Sequence, residues 1–147
     1  MTQSNTTALQ AVLNYIADSR EGYQKAAETV ERASFKRIFT ARAQERTNMA
    51  ARIEGTLRAR GEDISDDEGT TMGAFHRSLM SVASLVQSDE KAAIETIDDG
   101  EQRLREKVRD VIENGDLTVT DRTMLMSIER ELEADERILE RMENEVD

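Results

Sequence analysis

The chain has 147 residues, a length that suits one domain, and is 37% hydrophobic, 35% charged and 3% aromatic, so any core is built from Leu, Ile, Val, Met and Ala. With no Pro and 7 Gly long helices can run unbroken, and with no Cys there is no disulfide, thiol catalysis or thiolate metal site. The formal net charge of -11 argues against nucleic acid as a main partner, because phosphates would be repelled.

Apolar residues three and four apart (Leu9, Val12, Leu13, Ile16, Tyr23, Ala26, Ala27, Val30) predict a first helix over 6–31. Ser34 reads as the N-cap of a second helix over 34–60, striped by Phe35, Ile38, Phe39, Met49, Ile53 and Leu57, with Gly61 as its stop. Residues 61–71 are acidic and rich in turn formers. A short amphipathic helix is expected over 72–87, with Met72, Phe75, Leu79, Val82 and Val86 on one side. It either caps one end of the bundle or forms a dimer contact. Ser88 or Asp89 caps a third long helix over 89–114, ended by Gly115. Thr118 or Thr120 starts the fourth, over 120–145. The fold class expected is all-α: a four-helix bundle with a short extra helix between helices 2 and 3, all within one domain spanning 1–147. The connections between helices 1 and 2 and between helices 3 and 4 are short and make antiparallel hairpins. The long link between helices 2 and 3 suits either a crossover, as in ferritin-like bundles, or a plain up-down bundle.

Charge is spread unevenly: residues 1–60 carry 10 Lys+Arg against 6 Asp+Glu, and residues 61–147 carry 10 against 25. A basic hairpin packing on an acidic one explains this without any external partner. No apolar run approaches the roughly 18 residues of a membrane span. Met1 to Gln10 lacks signal-peptide character, so the expected location is cytoplasmic.

The informative residues are the polar ones that interrupt the stripes. In helix 4 the series 125, 128, 132, 135, 139, 142 reads Leu, Ile, Leu, Asp, Leu, Met, so Asp135 falls on the apolar face. Glu101 interrupts helix 3, Arg42 and Arg46 interrupt helix 2, and Ser19 and Arg20 lie between Ile16 and Tyr23 in helix 1. Counted from the hairpin turns, these interruptions share one depth. A buried charge is too costly to leave unpaired, so the expected site is a polar cluster near the bundle's midplane: Arg20, Arg42, Arg46, Glu101 and Asp135, flanked by Glu45 and His76.

A metal site would use the same depth, with carboxylates and Glu-x-x-His pairs facing inward. Here Glu45 is followed at the third position by Asn48, and Leu132 stands three before Asp135. The single His, His76, lies on the short helix, and arginines share the layer. No cofactor, small-molecule substrate, nucleophile–base spacing or phosphate-cradling glycine loop is identified. Gly22 and Gly100 flank the layer, where close helix approach would call for glycine.

The stretches "EGYQKAAE" (21–28), "FKRIFTARAQERTNMAARI" (35–53), "GAFHRSLM" (73–80) and "GEQRLREKV" (100–108) together resemble a bacterial domain-of-unknown-function family placed in the ferritin-like superfamily. The resemblance spans roughly residues 9–140. It implies a four-helix bundle with a short helix inserted after helix 2, and it brings no established activity. Members often carry a His in helix 4, at the position that matches Asp135.

The reading is a non-enzymatic bundle, stress-associated or a protein-interaction module, meeting a protein partner or a second copy of itself. The alternative is a ferritin-like carboxylate metal protein that oxidises or stores iron. A third class, attachment to lipid headgroups through the basic first hairpin, has the overall acidity against it.

Overall fold

A computed structural model describes residues 2–61 and 90–146. Among them are four helices and no strand: α1 (Thr2–Thr29), α2 (Ala33–Ala59), α3 (Glu90–Asn114) and α4 (Val119–Val146). The protein is an all-α four-helix bundle. The short helix expected over 72–87, His76 and the Ser88 or Asp89 cap lie outside the described residues.

Each helix end has a physical cause. Gly61 follows α2 with φ 81°, the left-handed conformation that glycine tolerates best, and its N–H bonds the Arg58 carbonyl at 2.9 Å. Gly115 closes α3 with its N–H on the Val111 carbonyl at 2.8 Å. Thr118 caps α4, its hydroxyl accepting the Asp121 N–H at 3.1 Å. Ser34 is not the cap of α2. The helix begins at Ala33 with Arg32 in the capping position, and no side chain of α2 serves it. The Glu90 carboxylate, from the start of α3, accepts the Arg32 N–H at 3.0 Å instead. A tertiary anion at a helix N-terminus does the work of a local hydroxyl. In both hairpins the second helix caps the first: Lys36 Nζ donates to the Ala27 carbonyl at 3.0 Å, and Arg122 donates to the Ile112 carbonyl.

The core comes in two parts. At one end Leu9, Leu13 and Ile16 of α1 pack with Ile53 and Leu57 of α2, Leu104 and Val108 of α3, and Leu125 and Ile128 of α4. At the other end Tyr23, Ala26 and Val30 pack with Phe35 and Phe39, Ala93 and Ile94, and Leu139 and Met142. The start of α1 and of α4 therefore shares an end with the finish of α2 and of α3. Helices α2 and α3 run parallel, and Gly61 and Glu90 stand at opposite ends of the bundle. A plain up-down bundle would make them antiparallel, so the connection is a crossover.

Helix α1 packs closely along α2 and α3, and α3 along α4, while the backbones of α2 and α4 stand further apart. Arginines span that wider seam in antiparallel register: Arg60 reaches Asp121, Arg52 reaches Glu131, Arg46 reaches Asp135, and Arg32 reaches Glu145. The basic hairpin thus meets the acidic one side chain to side chain. Among the described residues no helix is long and apolar enough to cross a membrane.

Candidate functional site: an ionic layer between two apolar cores

The two apolar clusters are separated by charged side chains that the helical repeat turns inward. Arg46 lies seven residues after Phe39 and seven before Ile53 on α2, so it occupies the buried stripe and is 0% exposed. Glu101 lies seven before Val108 on α3, and Asp135 three after Leu132 on α4. They are 2% and 5% exposed.

Arg46 is the hub. Its Nε donates to Ser19 Oγ at 3.1 Å, its Nη1 to Glu45 at 3.0 Å, and its Nη2 to Glu101 at 3.0 Å and to Asp135 at 2.9 Å. The Ser19 hydroxyl in turn donates to the second oxygen of Glu101 at 2.5 Å. Arg42 completes the layer, with Nε 3.2 Å from Asp135 and Nη1 2.8 Å from Glu45. All four helices contribute, and the guanidinium lies 5.4 Å from the Tyr23 ring centroid, close enough for a cation–π contact.

The structure brings Arg42, Arg46, Glu101, Asp135 and Glu45 together. It does not bring Arg20. That residue is half-buried and makes no ion pair or hydrogen bond with the others among the described residues. Ser19 takes its place, because the α1 face that meets Arg46 passes through position 19, four residues before Tyr23. Gly22 also departs from expectation: a Cβ there would meet nothing within 4 Å, so close helix approach is not its reason. It borders a small cavity between α1 and α3, lined also by Asp18, Ser19, Ile97, Gly100 and Glu101.

Two buried carboxylates escaped the sequence reading. Asp121, 2% exposed and paired with Arg60, extends the helix 4 series one step back from Leu125, so the spacing already marked it. Asp18, 2% exposed, lies off the α1 stripe and carries no such signal.

The electrostatics follow from crowding. Burial works against the Arg46 charge, but Glu101, Tyr23 and Asp135 outweigh it and raise the guanidinium's pKa. Burial pushes the Asp135 carboxyl up to about 7, and its hydrogen bond to Glu45 pushes the same way, against Arg46 and Arg42. Burial would also raise Glu45, but the bond from Asp135 and the charges of Arg46 and Arg42 hold it below its ordinary value. The same crowding thus pushes the two carboxyls in opposite directions, Asp135 up and Glu45 down. Burial also lifts the Tyr23 hydroxyl, with Glu101 adding to it.

The layer does not fit a metal centre. Its inward carboxylate oxygens already accept guanidinium or hydroxyl protons, and Arg46 sits with its positive charge where a cation would need to sit. Among the described residues no three His, Cys, Asp or Glu side chains are placed to hold one ion.

A family model described as Domain of unknown function (DUF2383) matches residues 4–114. The match takes in α1, α2 and α3 almost entirely, and every layer residue except Asp135. No curated protein and no solved structure shows a significant match to the chain.

Proposed function

The chain belongs to the DUF2383 family, and we propose that it is a non-enzymatic, ferritin-like bundle whose working part is its surface. In this reading the bundle is a single domain of a bacterial, cytoplasmic protein, stress-associated or serving protein interaction. It meets a protein partner or a second copy rather than nucleic acid, which its net charge of -11 would repel. The observation that carries the reading is Arg46. The crossover topology supports the ferritin-like assignment, and in such a bundle the midplane is where facing helices would build a carboxylate metal site. Here a fully buried guanidinium takes that place and uses up the carboxylates around it. Among the described residues, Ser19, Glu45, Glu101 and Asp135 are all engaged by the Arg46 guanidinium.

Elemental analysis of protein purified without chelator tests this against the iron-handling alternative. Iron, manganese and zinc are expected well below one equivalent, with a melting temperature unchanged by EDTA. Near-stoichiometric metal that disappears in Glu101→Gln, or a melting temperature that rises with added metal, would replace this reading with the metal-binding one.

A further inference from the structure

In a four-helix bundle each helix turns one side inward and leaves the other to water. At midplane depth the outward residues Asn48 of α2, Gln102 of α3 and Ala134 of α4 are exposed as expected. Helix α1 departs from this pattern. From Ala8 to Tyr23 none of its residues is exposed, and exposure begins again only at Thr7 on one side and at Gln24 and Lys25 on the other. Asp18 stands two residues after Ile16, about 200° around the helix from the core stripe, yet it is 2% exposed. Asn14 and Ala11, one and two turns back on that outward side, are half-buried. Packing on α3 explains part of this at Asp18, which borders the cavity there, but not at Asn14 or Ala11.

We propose that the outward face of α1, between Ala8 and Tyr23, is a docking surface for the chain's own link, residues 62–89. The route favours this occupant. Gly61 closes α2 at the end of the bundle where α1 starts, and Glu90 opens α3 at the end where α1 finishes. Helix α1 packs closely along both α2 and α3, so it stands between them, and the direct path from one to the other crosses its outward side. The length suffices. The 25 residues of α3 make the bundle about 37 Å long. Residues 62–89 would reach about 90 Å if extended and about 42 Å if helical throughout, so the link spans the bundle in either case.

The chemistry of the two partners agrees. In a chain that is 35% charged, α1 carries no charged residue from Thr2 to Ala17, which suits a covered face and not a solvated one. The link has an apolar side of its own in Met72, Phe75, Leu79, Val82 and Val86, and a surface connection with such a side needs something to cover it. A second copy is the weaker occupant, because it would bring another net charge of -11 against the first. Docking of the link withdraws α1 from the surface open to other molecules and leaves them the outward sides of α2, α3 and α4. It holds whatever the bundle's surface meets.

The chain has no Cys, so single cysteines introduced into the full chain test the docking one position at a time. Thr7→Cys and Lys25→Cys are exposed and flank the covered stretch. In nitrogen-15 chain, a spin label on Thr7→Cys should broaden amides in the first half of 72–87, and one on Lys25→Cys those in the second half. That order follows from the link running from the start of α1 to its finish. A label on Ala134→Cys, on the outward side of α4, should leave both halves sharp. Maleimide should modify Ala11→Cys at least about tenfold more slowly than Asn48→Cys. Amides of 72–87 untouched by either flanking label, the reverse order of broadening, or equal maleimide rates would overturn the docking. So would broadening in a mixture of spin-labelled chain without nitrogen-15 and unlabelled nitrogen-15 chain, which would assign the face to a second copy. If Ala11→Cys fails to fold, the flanking labels decide.

Discussion

Arg46→Met is expected to cost the bundle about 3–5 kcal/mol, enough to bring a domain of this size close to unfolding. Methionine fills much of the arginine stem's volume, so the loss comes from the guanidinium and not from a cavity. Glu101 is the residue most harmed. It is 2% exposed, and without Arg46 its remaining partner in the layer is the Ser19 hydroxyl. Asp135 and Glu45 keep Arg42, so they are less affected. Denaturation by guanidinium chloride, followed by circular dichroism, reads the loss directly. A change under about 1 kcal/mol would mean the layer is hydrated enough to tolerate a stranded carboxylate.

The second large effect runs the other way. Arg46→Met combined with Glu101→Leu and Asp135→Leu should recover at least about 3 kcal/mol over Arg46→Met alone, and could match or exceed the wild type, because a buried ionic group replaced as a unit by apolar residues often costs nothing. The substitutions join the two apolar clusters into one core. Ser19 can turn its hydroxyl to the carbonyl one turn back. Arg42 and Glu45 remain as a half-buried pair three residues apart on α2. The layer would then stand as a device for specificity or regulation, since stability alone does not need it. Thermal and denaturant unfolding of the single and triple variants, compared with the wild type, supply the numbers. A triple variant no more stable than Arg46→Met would show that the ionic layer is required for the fold itself.

The four helices were legible because each carries an apolar stripe at three- and four-residue spacing, and neither Pro nor β-favouring runs compete with it. The layer was legible for the same reason turned around: Arg46, Glu101 and Asp135 break stripes that are otherwise regular. What escaped depends on relations between helices. Ser19 and Arg20 both fall within reach of the α1 stripe, and the rotation of α1 against α2 decides that Ser19, not the charged Arg20, faces Arg46. Ser34 has the residue type of a cap, but α2 starts before it and Glu90, distant in sequence, supplies the anion at Arg32. The link after Gly61 is long enough for either direction of α3, and only the packing of Ala93 and Ile94 beside Tyr23 and Phe39 fixes it as a crossover. Asp121 followed from extending the α4 series by one step, whereas no periodicity points to Asp18.

Arg46 is the cation this bundle uses at its midplane, and it acts through the carboxylates it touches. A double-mutant cycle on Arg46→Met and Glu101→Leu, measured by denaturant unfolding at pH 6, tests that pairing most directly. A coupling energy of about 2 kcal/mol or more is expected, with the double variant more stable than the worse of the two single ones. A coupling below about 0.5 kcal/mol, with the two losses simply adding, would contradict it.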